Sequence, residues 1–234
     1  MPKAIKRRIK TKEVAAENEV QGRIADIREL MQQKQKAVIT YGGAAALVIV
    51  VIVGLLFYRY TNEEKARQLE YEAYKIYHNE YQKTPLPRKE QVEKAADLFQ
   101  QAYSRHKSPR LLLYLANCYY EEGKDADALA TLNLFLKNHT SEKSMLPIAY
   151  RQLASVQLKM GNRPEALKTL DALYKTDSDI FKDLALIESA RILESDGKKE
   201  EATAKYKELT EKYKSSPFAD EAKEKLGLTE KKEG

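Results

Sequence analysis

Apolar residues are distributed along this chain in two unlike ways. From Ala37 to Tyr58 they form one unbroken run, AVITYGGAAALVIVVIVGLLFY, with Lys36 before it, Arg59 after it and no charge inside it. From about residue 62 onward they recur at three- and four-residue intervals, the period of a helix that buries one face. The run is far longer than the 4–8 residues typical of a strand. As a helix rising about 1.5 Å per residue it reaches about 33 Å, close to the ~30 Å hydrocarbon core of a bilayer. In lipid only a helix or a closed barrel satisfies its own backbone, so the run predicts a single spanning helix. No small-x-small cleavage site follows Phe57, which predicts an anchor that is retained. Tyr41, Tyr58 and Tyr60 fall at its ends, where amphipathic rings favour the headgroups.

The periodic part repeats itself. LLLYLANCYYEEGKDADALATLNLFL, IAYRQLASVQLKMGNRPEALKTLDAL and LALIESARILESDGKKEEATAKYKEL align on Gly123, Gly161 and Gly197, giving periods of 38 and 36 residues. A small residue stands seven before each glycine (Ala116, Ala154, Ala190) and an alanine five after it (Ala128, Ala166, Ala202). Large residues follow at nine (Leu132, Leu170, Tyr206) and twelve (Phe135, Leu173, Leu209). That is the pattern of a helical hairpin: small residues where two helices cross closely, large ones beside them, and glycine to release the chain into the turn. Each hairpin leaves an apolar face that only a neighbouring hairpin can cover, so the array predicts an all-α solenoid.

Flanking segments extend it. Ala95, Phe99 and Ala102 repeat the spacing of a second hairpin helix, with residues 62–82 as its partner and a proline-containing loop between. Ser216 and Pro217 read as the N-cap and first position of a capping helix closed by Gly227. Thr61 and Glu64 form a possible capping box, which predicts a fresh helix start near Glu63. Tyr71, Tyr74, Tyr77 and Tyr81 make a stripe whose expected role is packing on the next helix. In the tail, Val20, Ile24, Ile27 and Met31 form an apolar stripe that suits a membrane surface, a docking partner or a plain helical stalk. The expected organisation is a basic tail over 1–36, a transmembrane signal anchor over 37–58, and a repeat domain over 59–227. Three clear repeats occupy about 110–214, with a partial repeat before and a capping helix after; residues 228–234 are expected to fray.

Charge narrows the function. The formal net charge of +6 sits in the tail, where residues 1–36 carry ten Lys/Arg against five Asp/Glu and leave 31 against 30 for the rest of the 234-residue chain. A nearly neutral main domain argues against nucleic acid as a partner. Four Lys/Arg flank the apolar run on either side, so the near flanks tie. The short tail beginning MPKAIKRRIKTK, against a long domain that translocates regardless of charge, predicts the tail in the cytoplasm and residues 59–234 in a bacterial periplasm. Gly42 and Ala46 form a small-xxx-small pair that can pack a second helix. A single cysteine, Cys118, excludes an intrachain disulfide, and its place inside a repeat helix predicts a buried, inert thiol.

No catalytic or nucleotide-binding motif is present, and His78, His106 and His139 lack metal-ligand spacing. Neither enzyme activity, a metal, a cofactor nor a small-molecule substrate is therefore expected. A solenoid offers binding along its first helices. Residues two, three, six and ten before each turn glycine are expected to line that groove: Leu113, Asn117, Tyr120 and Glu121; Arg151, Ser155, Leu158 and Lys159; Ile187, Arg191, Glu194 and Ser195. Arg151, Lys159 and Arg191 suit acidic groups, with Tyr120, Leu158 and Ile187 giving apolar contact. A solvated helix face is the competing reading for each.

The glycine-centred unit resembles the tetratricopeptide repeat, whose period is about 34 residues. In the carboxylate-clamp variety a lysine and an asparagine share the first groove helix; Leu113 stands here in place of the lysine. Tail, single span and array together look like the YfgM-like family of membrane-anchored ancillary subunits of the bacterial Sec translocon, with LASVQLKMGNRPEALKTLDAL as the best-matching stretch. That resemblance implies a periplasmic array associated with the translocon and with periplasmic chaperones, with no cofactor. The long tail departs from it, and SSPFADEAKEKLG looks more like tetratricopeptide proteins of outer-membrane assembly. The function expected is an inner-membrane-anchored adaptor binding translocon, chaperones or exported chains. The alternative is a structural scaffold of an envelope complex, or a self-associating anchor.

Overall fold

The computed structural model describes residues 3–80 and 86–228, with side chains from residue 21 onward except that of Val38. Among the described residues there are nine α-helices and no strand: α1 Lys3–Tyr77, α2 Arg88–Arg105, α3 Pro109–Glu121, α4 Asp125–Asn138, α5 Leu146–Lys159, α6 Arg163–Tyr174, α7 Lys182–Ser195, α8 Lys199–Lys212 and α9 Ala219–Lys225. Met1–Thr61 forms one unit and Asn62–Gly234 a second.

In the first unit the apolar run is helical throughout, and within Gln35–Tyr77 α1 holds one stretch long and apolar enough to cross a membrane, none of it buried against protein. The helix start expected at Glu63 does not occur. A capping Thr61 would accept from a main-chain N–H in the next turn; its hydroxyl instead donates to the Tyr58 carbonyl at 3.0 Å, a bond that leaves the helix running.

The second unit is a stack of hairpins. α3 pairs with α4, α5 with α6 and α7 with α8, while α2, α4 and α6 each pack on the helix that opens the next hairpin and α9 closes on α8. Four hydrophobic clusters follow one another through these junctions: the end of α1 with α2 and α3, then α3 to α5, then α5 to α7, then α7 to α9. All twelve residues of the aligned pattern are buried, none above 3% exposed. Alanines sit at the crossings and Leu132, Leu170 and Tyr206 fill the space beside them. Ala95, Phe99 and Ala102 are likewise fully buried.

Each turn glycine has the same left-handed backbone, φ 76° at Gly123, Gly161 and Gly197 and 69° at Gly227. The main chain closes identically around them. At Gly161, its own N–H bonds the Leu158 carbonyl (2.9 Å) and the Asn162 N–H bonds Gln157 (2.8 Å), the paired bonds of a Schellman end. No side chain comes within 4 Å of a Cβ built there, so the requirement is conformational, not one of space.

The capping helix starts later than the sequence suggests. Ser216 accepts from the Phe218 N–H (3.2 Å) and donates to Asp183 (2.7 Å), and the helix opens at Ala219. Tyr77 of the tyrosine stripe is buried in the first cluster and Tyr74 packs edge-on against Tyr114, whereas Tyr71 is exposed. Tyr81 lies outside the described residues.

Candidate protein-binding groove

The expected groove residues fall into three groups, with Asn117 shared by the last two. Leu113 and Ile187 are buried in the clusters, at 6% and 0% exposure, and offer no surface to a partner. The ten-before position of a first helix faces inward when the residue there is aliphatic; Arg151 at the same position is only partly covered, with its Nε buried. Leu158 is half-buried against the α5–α7 cluster.

A second group spends its polar atoms within the array, mostly on neighbouring repeats. Glu121 takes Arg88 in a forked pair, with nitrogen–oxygen distances of 2.7–2.9 Å, and accepts from the Tyr77 hydroxyl. Asn117 donates to that same hydroxyl at 2.5 Å. Burial first, then the Glu121 carboxylate, pushes the Tyr77 phenol up to about 12. Lys159, expected to hold an acidic ligand, reaches back to Asp125 (2.7 Å) and the Tyr120 carbonyl (2.9 Å), lying over the Tyr120 ring. Arg191, expected to do the same, grips Glu221 at 2.8 and 2.5 Å and Glu188 at 2.6 Å. The Glu221 bond raises the Arg191 pKa and lowers that of Glu221. Glu194 accepts from Lys225 and Tyr206, which hold its carboxyl below the usual range. Ser195 turns its hydroxyl onto the Ile192 carbonyl. The cause is shared: charges about one repeat apart stand opposite each other in a stack, so the cations meet the array's own carboxylates first.

The third group forms a site. Asn117 and Tyr120 of α3, with Arg151 and Ser155 of α5, line one recess of about 250 Å³ whose apolar wall is Ala116, Leu132 and Val156. Gln152 lines it too. Arg151 Nε and Gln152 Oε1 are buried without a hydrogen-bond partner among the described residues, a state native proteins rarely leave unexplained. The face of the Phe181 ring lies 5.2 Å from the Arg151 guanidinium, and Phe181 itself is held in a left-handed conformation, φ 65°. Strain of that kind in a bulky residue needs its surroundings to enforce it. Gln152 and Phe181 are absent from the groove inferred from sequence. Gln152 has Tyr114 and Glu188 as repeat equivalents, three different polar side chains that mark no common role, and nothing in TDSDIFKD marks the left-handed Phe181.

Other chemistry is not assembled. Cys118 is fully buried, its thiol pushed up to about 12 by burial and then by Glu121 and Glu122. Among the described residues no group of three or more His, Cys, Asp or Glu could hold a metal ion.

Residues 33–226 match the tetratricopeptide repeat-like domain family. The chain belongs to this family. Its repeats are those of a tetratricopeptide-type solenoid, a fold that typically serves as a non-enzymatic scaffold for protein interaction, and it is consistent with a protein-binding adaptor. The match identifies the family as a whole and does not single out the YfgM-like translocon subunits. No curated protein matches the sequence. Among solved structures, that of MamA is similar, at 19% identity and a TM-score of 0.49 over 60% of this chain and 81% of MamA. YrrB, described as a TPR protein with an unusual peptide-binding site, is similar at 16% identity and 0.46 over 59% and 68%. In this tetratricopeptide repeat-like chain the recess sits where first helices of successive repeats, α3 and α5, come side by side.

Proposed function

We propose that this protein is a membrane-anchored adaptor that captures segments of other proteins in the recess between α3 and α5, with residues 37–58 as the anchor and the repeats on the periplasmic side of a bacterial inner membrane. The observation that carries the reading is the recess itself, where two unpaired buried polar atoms border an apolar wall. A protein segment that supplies a hydrogen-bonding group there satisfies atoms the array leaves wanting, while Lys159 and Arg191, already paired, contribute little. The uncovered, uncharged surface of the run supports anchoring, because side chains such as Leu47, Val50 and Phe57 stand more than half exposed with no protein against them. Tail charge and the length of the following domain support the orientation. The plan shared with YfgM-like proteins supports a place beside the Sec translocon, assisting export or hand-over to chaperones.

The test is a photo-crosslinking residue at Ser155 of the full chain in intact cells, with the same residue at Lys168 for comparison. Discrete protein adducts from Ser155, diminished by Arg151→Leu, are expected. Equal adducts from both positions, or none from either, would remove the groove from the account. A reporter active only in the cytoplasm, fused after Gly234, should be silent; an active fusion reverses the orientation and discards the translocon reading.

A further inference from the structure

We propose that the tail stripe of Ile24, Ile27 and Met31 is a seam for a second copy of this chain, the two α1 helices running parallel and in register; the inference rests on the membrane anchoring proposed above. These side chains are 56%, 58% and 61% exposed. A shallow groove along this side of the helix brings Ile24, Ile27, Met31 and Ile39 together with the polar Arg28, Gln32 and Gln35, and runs from the tail into the apolar run.

The helix decides what can cover this face. α1 is uninterrupted from Lys3 to Tyr77, with no proline inside it. With Ala37 at the bilayer surface and about 1.5 Å of rise per residue, Met31 stands about 9 Å and Ile24 about 20 Å into the water. Acyl chains do not reach there, and a helix lying on the membrane would have to break away from the span to do so. An apolar stripe held out in water is covered by protein. A second copy is the one partner whose stripe is fixed at the same height and in the same direction by its own anchor. The spacing agrees: 24, 27 and 31 alternate by three and four, and Val38, Tyr41, Ala45 and Val48 continue the alternation through the run. Lys34 is the charged exception, close enough to the bilayer surface for its ammonium to reach headgroups or water. Arg23 and Arg28 flank the stripe at the positions that meet across a parallel pair, so like charges oppose and the association is weak and strengthened by salt.

Cys118 is the sole cysteine and is buried, so single introduced cysteines report cleanly. The experiment places one cysteine at each position from 22 to 33 in the full chain, in native membranes, and oxidises with copper phenanthroline. Disulfide-linked dimers are expected at Ile24→Cys, Ile27→Cys and Met31→Cys and are expected to be lost at Ala25→Cys and Glu29→Cys. Raised salt should increase the Ile27→Cys yield, and so should adding Arg28→Glu, which sets a carboxylate opposite Arg23 of the second copy. A lipid-facing stripe predicts the reverse for Arg28→Glu. Yield without helical phase, stripe adducts to a different protein, or a decrease on Arg28→Glu each overturn the seam. A chain that stays in carbonate-washed membranes without phased dimers defeats the seam alone; one that washes out defeats the anchoring and the seam together.

Discussion

Ala166→Glu probes the register on which the whole array depends. Ala166 is fully buried on α6, in the cluster with Ala154, Leu170, Leu173, Ala185 and Ile192. A carboxylate there is either desolvated without a partner or protonated. Protonation is the milder route: it costs about 1.4 kcal/mol for each pH unit above the free Glu value of about 4.3, so about 3.7 kcal/mol at pH 7. Forcing the larger side chain between α5, α6 and α7 adds about 1–3 kcal/mol. The expected loss at pH 7 is therefore at least about 4 kcal/mol. Ala166→Gln shares the bulk but not the charge and should lose less. The sign with pH is fixed, because the buried Glu has a folded pKa raised above its unfolded value. Its destabilisation grows as pH rises from about 4.3 toward that folded pKa, and it should shrink by up to about 2.7 kcal/mol between pH 7 and pH 5. Urea melts of the full chain in detergent, followed by far-UV circular dichroism at both pH values, read this directly. A midpoint equal to wild type, or a loss identical for Glu and Gln at both pH values, would show that α5, α6 and α7 do not meet at Ala166.

Three further outcomes are expected. Gly161→Ala should cost about 1–2 kcal/mol in the same melts, because the left-handed backbone at φ 76° penalises a Cβ although nothing crowds it; no change would mean that the turn is remade. Tyr77→Phe should cost about 0.5–1.5 kcal/mol, and Glu121→Ala about 1–3 kcal/mol because Tyr77 and Arg88 lose their acceptor. The double change should cost less than the sum, and additivity would dissolve the network. Melting temperature against pH should fall at both extremes. On the acid side, Glu194, Glu208 and Glu221 titrate below the ordinary 4.5 in the fold, so their contribution is present above that value and lost as pH drops through their folded pKa values. On the alkaline side the Tyr77 contribution is present below pH 10.0 and lost as pH rises through about 12; Glu194→Gln should flatten the acid limb and Tyr77→Phe the alkaline one.

The sequence by itself determined the hairpins. Ala128, Ala166 and Ala202 and the large residues after them are buried because a period of 36 to 38 with fixed small and large positions admits one way of stacking, and the turn glycines announce the left-handed ends. Those are local requirements of backbone and volume, and local requirements are written residue by residue. Only the tertiary structure decided which polar residues remain available. Arg151, Lys159 and Arg191 look alike as charged residues on first helices, yet Asp125 and Glu221 neutralise two of them and Phe181 faces the third. The partner of a side chain one repeat away is set by the stacking offset between hairpins, which no residue pattern within a hairpin encodes. The helix at Thr61 is a second case: capping and continuation use the same residue types, and whether the hydroxyl accepts from the next turn or donates to the Tyr58 carbonyl depends on the helix that precedes it. Surface chemistry in a repeat protein is what remains after neighbours have paired, and pairing is a property of the stack.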